Sequence, residues 1–323
     1  MAAEVRELVK RYRPSLSLAS YGKIYVDTTS FMEIGYGDVI AIGGLHYLVL
    51  RDEAERSYGI EDPKYWVKRC IVLETGDRAI LKLVFHESFD LKLGNLTVRC
   101  YRSPEKEARI LDLVRGDMRF MQGRSERDAA GNVVRIIEVI SGKRLDQAVY
   151  EMEEDHEAYF FKDFPNILEK FIGSCEAIGF LHRNGELHGD IRRDHLWIEH
   201  RTGRYRWIDF DYTYDFAESP FGLDIFGLGS LLLFLAGKGI YRLQELEEMG
   251  LDERSITSFS SNDFSLLYVN RIANLKKIFP YIPEELNNVL LHFSQGAEVF
   301  YESVDEFLAD LRPCLNHLKE AQK

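Results

Sequence analysis

A polar segment of eight residues carries the side chains that acid–base and anion chemistry require. His188-Gly189-Asp190-Ile191-Arg192-Arg193-Asp194-His195 crowds acids, bases and two arginines around one glycine. A solvated charged turn has a similar composition, so this segment alone leaves both interpretations open. A second segment, Trp207-Ile208-Asp209-Phe210-Asp211, places an acid directly after an apolar strand pattern. Asp209 follows His195 by fourteen residues, and this pairing favours a functional site.

The two segments together resemble the motifs of the protein-kinase-like superfamily. His188-Gly189-Asp190, followed by His195, resembles the His-Arg-Asp catalytic loop, in which an Asn lies five residues after the Asp. Asp209-Phe210-Asp211 resembles the metal-binding Asp-Phe-Gly motif. Glycine in the middle of the first motif is common in the small-molecule and atypical branches of the superfamily. Because order and spacing both match, the pair is a stronger signal than either segment alone.

The resemblance implies a chemical role for three of these residues. Asp190 would accept or orient the proton of the attacking hydroxyl, and Arg192 would stabilise charge on the transferred phosphate. Asp209 would hold Mg²⁺, which prefers oxygen ligands. These roles fit phosphoryl transfer, which depends on positioning and charge neutralisation. His188 is expected to pack and hydrogen-bond within the loop.

His195 stands where the superfamily usually supplies Asn as a second metal ligand. A neutral imidazole suits borderline metals better than Mg²⁺. His195 is therefore predicted as a metal residue with three open consequences: a single bound metal, a preference for Mn²⁺, or direct contact with phosphate.

The resemblance also requires a lysine on a strand and an acid on the helix that follows. Ala79-Ile80-Leu81-Lys82-Leu83 resembles the Val-Ala-Ile-Lys strand, and a lysine among apolar residues is costly unless it is paired. Ser103-Pro104 predicts a helix start. Glu107 shares the apolar face of that helix with Leu111, whereas Glu105 falls on the wet side, so Glu107 is the predicted partner.

Two further positions follow from the resemblance. The strand pattern Val133 to Ile140 resembles the strand that leads to the adenine hinge. Backbone groups of Glu138 to Ile140 would then contact the base of ATP. Asp224 resembles the acid at the start of the central helix, where it would hold the catalytic-loop backbone by hydrogen bonds.

The order of patterns predicts an α+β chain in two lobes, strands first and helices after. Hairpin signals lie at Gly43-Gly44 and at Thr75-Gly76-Asp77. Apolar residues at three- and four-residue steps from Ile167 predict a helix that continues to Leu181. The expected division is a flanking arm (1–30) with a short helix ended by Pro14, a mainly β N-lobe (31–140) and a mainly α C-lobe (141–323).

Two features depart from typical protein kinases. The glycine-rich phosphate loop should lie between Leu50 and Val67, where Gly59 is the single glycine, so Lys64, Lys68 or Arg69 are candidates to hold phosphate. Only twelve residues separate Asp211 from Asp224, with no Ala-Pro-Glu sequence. Aminoglycoside phosphotransferases and sugar or lipopolysaccharide kinases resemble the chain in that short activation segment, as do atypical bacterial serine/threonine kinases.

Composition narrows the remaining classes. The net charge of -12 argues against nucleic-acid binding, which requires a basic footprint. The longest apolar run, Ile225 to Gly237, is too short to span a membrane and predicts a buried helix. Four scattered cysteines and no signal-peptide pattern favour a reduced, cytoplasmic setting.

Three functions remain open at this point. The first is a phosphotransferase that uses ATP with Mg²⁺, or with Mn²⁺, and moves the γ-phosphate to a hydroxyl of protein serine or threonine. The second is the same chemistry on a small molecule of the sugar, lipopolysaccharide or aminoglycoside type. The third is a nucleotide-binding pseudokinase scaffold, which the histidine at position 195 favours.

Overall fold

The computed structural model describes residues 2–12, 22–57, 60–93 and 96–322. The chain forms two compact units, of which the first comprises residues 1–88 and 101–140 and the second residues 89–100 and 141–323. The first is mainly strand and the second mainly helix, which confirms the predicted α+β class. In the described ranges, no helix is both long enough and apolar enough to cross a membrane.

The described strands form three sheets, ordered β1-β2-β3-β4-β5-β9-β8, β10-β11-β12 and β13-β7-β6. Their bounds are β1 Ile24–Tyr25, β2 Val39–Ile42, β3 Leu45–Ser57, β4 Ile60–Val72, β5 Arg78–Lys82, β6 Ser88–Leu93, β7 Leu96–Arg102, β8 Gly123–Arg127, β9 Val133–Glu138, β10 Gly142–Arg144, β11 Leu196–Glu199, β12 Tyr205–Trp207 and β13 Tyr212–Asp215.

The helices of the same ranges fall mostly after residue 140. Their bounds are α1 Ala2–Tyr12, α2 Pro104–Leu113, α3 Leu145–Tyr150, α4 His156–Lys162, α5 Phe164–Arg183, α6 Gly222–Ala236, α7 Glu253–Thr257, α8 Glu284–Leu291 and α9 Val304–Ala321. Single 3-10 turns lie at Phe31–Glu33, Leu243–Glu245, Ser261–Asp263 and Leu275–Lys277.

Both predicted hairpins are present in the first unit. Strands β2 and β3 are antiparallel across Gly43 and Gly44, whose positive φ angles of 59° and 75° suit a two-residue turn. Strands β4 and β5 are antiparallel across the turn that contains Gly76. Helix α1 buries Val5 and Val9 against the sheet residues Val39, Leu48 and Leu73. The predicted end of this helix at Pro14 lies outside the described residues.

Residues 51–57 and 60–66 belong to the long antiparallel pair β3 and β4. Charged residues stabilise this pairing across the strands. Lys68 is fully buried and donates to the Ile34 carbonyl at 2.5 Å and to Asp52 at 2.7 Å, and Arg69 pairs with Glu53. Lys68 and Arg69, two of the candidates to hold phosphate, are therefore engaged in ion pairs. Gly59, the single glycine between Leu50 and Val67, lies outside the described residues.

The second unit contains the predicted long helix. Helix α5 buries Ile167, Phe171, Cys175, Ile178 and Leu181 along one face, as the periodicity indicates. It ends at Arg183, and Gly185 has a positive φ of 75° in the turn that follows. The apolar run predicted as a buried helix is α6.

The hairpin β6–β7 has no counterpart in the sequence-based prediction. Strand β7 lies between β6 and β13, so residues 89–100 join the second unit although they precede α2 in the chain. Val98 and Cys100 are buried on β7 and pack with Tyr214 of β13. The alternation of buried and exposed residues at 97–100 is a weak strand signal, because it is short and nothing local identifies its partner.

Candidate active site

In the first unit, the site is a buried cluster of charges around Glu107. Lys82 at the end of β5 donates to Glu107 Oε1 at 2.8 Å, and Arg135 Nε of β9 lies 3.0 Å from Glu107 Oε2. All three side chains are almost fully buried. Each oxygen of the Glu107 carboxylate therefore has its own cationic partner, which compensates the cost of burying it.

Local sequence explains the position of Glu107. Ser103 caps helix α2 by accepting the Lys106 N–H, and Pro104 occupies the first turn. Glu107 then lies one turn before the buried Leu111, whereas Glu105 is exposed. The structure thus pairs Lys82 with the acid that was selected by helical periodicity.

Arg135 is the residue of this cluster that sequence reasoning missed. It also donates to the carbonyls of Val133 at 2.8 Å and Leu83 at 3.2 Å. An arginine inside the apolar run Val133 to Ile137 is the available signal, because a buried guanidinium needs a carboxylate partner. That signal does not name Glu107 without the pairing of β5 with β9.

The predicted hinge begins where β9 ends. The strand stops at Glu138, two residues earlier than predicted, and Glu138 to Ile140 are half-buried. The Glu138 N–H donates to the Gln122 carbonyl at 3.0 Å, and its carboxylate accepts from the Gln122 N–H at 3.0 Å. Because the Glu138 N–H is already bonded, a backbone donor for a base would have to come from the residues that follow, up to Ile140.

In the second unit, Asp224 at the start of α6 fixes residues 188–195, the predicted catalytic loop. Its carboxylate accepts the N–H of His188 at 2.7 Å and that of Gly189 at 2.8 Å, which confirms the predicted scaffold contact. His182, at the end of α5, also contacts Asp224 at 3.0 Å and stacks on Phe221. Burial raises the pKa of Asp224, but the hydrogen bond from His182, its charge and the backbone donors prevail and hold that pKa below its usual value.

Position 189 of the loop has no room for a side chain, and glycine meets this requirement. Its φ is +85°, and a Cβ at this position would lie 1.8 Å from the carbonyl oxygen of Tyr212. The first residue of β13 therefore passes directly against the predicted catalytic loop. The small residue in His188-Gly189-Asp190 is a consequence of this close approach.

Asp190 lies within one cluster with Arg192 and His195. Arg192 Nε is 3.6 Å from one Asp190 oxygen, and His195 Nδ1 is 3.5 Å from the other. Burial raises the pKa of Asp190, and the charges of Asp209 and Asp211 raise it further, whereas His195 and Arg192 oppose the shift. A carboxyl with this balance is suited to exchange a proton with a bound hydroxyl.

The hydrogen bonds of His195 define its tautomer. Its Nδ1 lies 2.8 Å from the main-chain carbonyl oxygen of Asp190, and its Nε2 lies 3.0 Å from Arg192 Nη2. Because a guanidinium can only donate, Nε2 accepts and the proton of a neutral ring resides on Nδ1. A metal would bind to His195 through the lone pair of Nε2, and this lone pair already accepts a hydrogen bond from Arg192. It also lies 3.5 Å from Asp209 Oδ2.

Asp209 lies two residues after Trp207, the last residue of β12. The strand stops because Asp209 adopts a φ of +64°, a left-handed conformation that costs about 1–3 kcal/mol in a non-glycine residue. Trp207 and Phe210 on either side are fully buried and hold this conformation in place. Strained residues of this kind are concentrated at functional sites.

Asp211 is a further candidate that sequence reasoning treated only as the third residue of the metal-binding motif. It is buried, and one of its carboxylate oxygens lies within 4.8 Å of one from Asp209. Two carboxylates at this separation supply the hard oxygen ligands that Mg²⁺ and Mn²⁺ accept. The signal in the sequence is an acid at the position where the superfamily motif has glycine.

No protein-family model and no curated protein matches this sequence. Among solved structures, the chain is similar to the PknI kinase domain of Mycobacterium tuberculosis, crystallised as a double mutant. The similarity covers 83% of this chain and 95% of that one, with 14% sequence identity and a TM-score of 0.46. The chain's own residues, and not this similarity, carry the function proposed below.

Proposed function

We propose that the chain is an ATP-dependent phosphotransferase that moves the γ-phosphate to a hydroxyl group. The observation that carries the proposal is the arrangement of the catalytic loop in the second unit. Asp224 holds the loop backbone, and the loop brings Asp190 together with Arg192, His195 and Asp209. Phosphoryl transfer needs such a positioned carboxylate, a cation for the phosphate and oxygen ligands for a divalent ion.

The residues divide the work as follows. Asp190 orients the acceptor hydroxyl and takes its proton, and Arg192 stabilises charge on the phosphate oxygens. Asp209 and Asp211 would hold Mg²⁺ or Mn²⁺, which supplies charge neutralisation for the phosphates. His195 would support the metal through Nε2 once Arg192 turns to the phosphate. Lys82, positioned by Glu107, binds the phosphates of ATP, and the backbone near Glu138 and Ile140 receives the base.

Protein serine or threonine is the acceptor we favour, in the manner of an atypical bacterial-type kinase with a short activation segment. A panel assay with labelled ATP would separate this acceptor from a small-molecule hydroxyl. Label should appear in protein and survive as phosphoserine or phosphothreonine after acid hydrolysis. Label in sugars or aminoglycosides, with none in protein, would contradict the acceptor assignment and keep the transferase.

A nucleotide-binding pseudokinase is the second candidate, and His195 is the observation that favours it. Its Nε2 accepts from Arg192, so the position of the second metal ligand is occupied by a hydrogen bond within the loop. His195→Asn removes that acceptor and restores an amide oxygen. If the chain is an enzyme limited at this position, transfer by His195→Asn should rise or its metal preference should change from Mn²⁺ towards Mg²⁺. A pseudokinase should bind ATP, measured by calorimetry, and show no transfer in either form.

A further inference from the structure

A group of arginines and aromatic side chains lies beside the catalytic loop in the second unit. Arg193, next to Arg192 in the loop, ends 5.6 Å from the ring centre of Phe234 and donates to Tyr150 Oη at 3.4 Å. Phe234 lines a small cavity together with Tyr268 and Arg271, so one ring connects the two arginines. The Ile272 N–H donates to the Tyr241 carbonyl at 2.9 Å, so Arg271 and Arg242 each lie next to a residue of this backbone contact. This group, called here the arginine patch, comprises Tyr150, Arg193, Phe234, Arg242, Tyr268 and Arg271.

Arg271 is the unusual member of the patch. Its guanidinium stacks on Tyr268 at 3.7 Å from the ring centre. Among the described residues, no carboxylate lies within 4.0 Å of it. Burial lowers its pKa, and the positive charges of Arg193 and Arg242 lower it further, against the opposing effect of Tyr268. A half-buried arginine beside two other arginines creates a positive potential that favours an anion.

Arg193 and Arg242, the other two arginines of the patch, each lie close to a carboxylate. Arg193 Nε is 3.6 Å from Asp146, which also receives Arg144 at 3.1 Å. Arg242 pairs with the exposed Glu245 at 3.2 Å. Asp146 is buried, whereas the Arg242–Glu245 pair is exposed. An exposed pair contributes little to stability and exchanges readily with an incoming anion.

The surroundings indicate what kind of molecule carries that anion. Tyr150, Tyr268 and Val269 are exposed by 54%, 38% and 61%. Tyrosine and arginine are the residues that dominate binding energy at protein–protein interfaces. A lone small anion would use the guanidinium groups and leave these apolar surfaces exposed, whereas a polypeptide would cover both.

We propose that the arginine patch binds an acidic side chain of a polypeptide acceptor next to the hydroxyl that is phosphorylated. The inference rests on the proposed phosphotransfer and adds its substrate class. Arg193 follows Asp190 by three residues, a span of at most about 11 Å. An extended peptide rises about 3.3 Å per residue, so the acidic residue should lie on the order of three residues from the hydroxyl.

Binding of fluorescein-labelled peptides in the absence of nucleotide tests the proposal. One peptide carries a serine with glutamates three residues to either side, and its matched form carries glutamines. The wild-type chain should bind the glutamate peptide about tenfold more tightly, because hydrogen bonds between guanidinium and carboxylate are strengthened by charge. Added salt and inorganic phosphate should reduce this preference.

Arg271→Gln and Arg242→Gln should each reduce the preference for glutamate severalfold. Arg201→Gln is the control, because it removes the same charge from an exposed turn of the same unit and should leave the preference unchanged. Arg271→Lys keeps the charge and should retain part of the preference, and melting temperatures show that each variant is folded. Equal binding of the two peptides, or equal loss in Arg201→Gln, would overturn the proposal.

Vesicles of phosphatidylserine and phosphatidylcholine test whether the patch binds a membrane surface instead of a peptide. If sedimentation with these vesicles depends on Arg271 and the glutamate peptide does not bind, the patch is a lipid contact and the proposal fails. The peptide assay requires no phosphate transfer. Selective peptide binding without transferase activity would therefore contradict only the proposed phosphotransferase function. Transferase activity without selective peptide binding would contradict only the proposed role of the arginine patch.

Discussion

Glu107 contacts two buried cations in the first unit. Its carboxylate is fully buried between Lys82 and Arg135, and both cations are almost fully buried as well. A buried pair is weak support for stability when it is intact, but removal of one partner leaves an uncompensated charge. The same carboxylate therefore controls both folding and the position of Lys82.

Glu107→Gln should lower the free energy of unfolding by about 3–5 kcal/mol, because two buried cations lose their counter-charge. Urea unfolding monitored by tryptophan fluorescence measures this loss. Glu105→Gln, on the exposed side of the same helix turn, is the control and should change stability by less than about 0.5 kcal/mol. Similar losses for the two variants would contradict the buried network.

The pKa of Asp190 predicts the acid limb of the pH–rate profile. The general base must be ionised, so the rate rises with pH through its pKa. Burial and the charges of Asp209 and Asp211 raise that pKa above the ordinary value of 3.8, and the limb should therefore lie above 3.8 as well. Arg192→Gln removes a charge that lowers the pKa, so the limb should move to still higher pH.

The rate of label transfer as a function of pH measures the position of this limb. Arg192→Gln will also be slower overall, but the midpoint of the limb is independent of that loss. Arg201→Gln is the control with the same change of charge. A limb that moves to lower pH in Arg192→Gln, or does not move, would exclude Asp190 as the base that sets it.

The loop 188–195, which we propose to be catalytic, depends on an element that lies directly against it. Strand β13 begins at Tyr212, immediately after Asp211, and the carbonyl of Tyr212 occupies the space beside Gly189. Strand β7 pairs with β13 and packs Val98 and Cys100 against Tyr214. The short segment after Asp211 is therefore held in a sheet and positions the loop.

Gly189→Ala should be much more damaging than Gly185→Ala. Both glycines have positive φ, which costs an alanine about 1–2 kcal/mol, but only Gly189 would place its Cβ against a backbone oxygen. Gly185 has no atom within 4 Å of a Cβ. Gly189→Ala should lose at least about 2 kcal/mol more stability, and displacement of the loop by about 1 Å would slow transfer about 100-fold. Chemical denaturation and the transfer rate measure the two effects, and equal losses in both variants would contradict the contact with Tyr212.

Local patterns predicted the elements better than their long-range neighbours. The two glycine turns, the cap at Ser103 and the stripe of α5 are each set by residues close together in sequence, and the structure contains all of them. The pairing of β7 with β13 joins segments more than a hundred residues apart, and no local pattern specifies it. The requirement for glycine at position 189 could not be predicted either, because it arises from contact with Tyr212, which forms only when the chain has folded.

At the scale of the whole molecule, the chain combines a sheet unit and a helical unit, each with its own charged site. Resemblance to known motifs predicted Lys82, Asp190 and Asp209, and helical periodicity then selected Glu107 as the partner of Lys82. Arg135, His182 and Asp211 were missed as functional neighbours because their importance comes from contacts made by folding. The net charge of -12 did not predict a local patch of arginines beside the loop, because a net charge does not show where individual charges lie in the structure.

The rate of γ-phosphate transfer from labelled ATP, compared between the wild-type chain and Asp190→Ala, tests the central claim most directly. With Mg²⁺ or Mn²⁺ and a broad acceptor panel, the wild type should transfer label. Asp190→Ala should be slower by about 10²–10⁴-fold, the usual contribution of a positioned general base. Asp305→Ala removes an exposed acid of the same unit and should retain the wild-type rate. Transfer at the wild-type rate by Asp190→Ala, or no transfer by the wild type with either metal, would contradict the account.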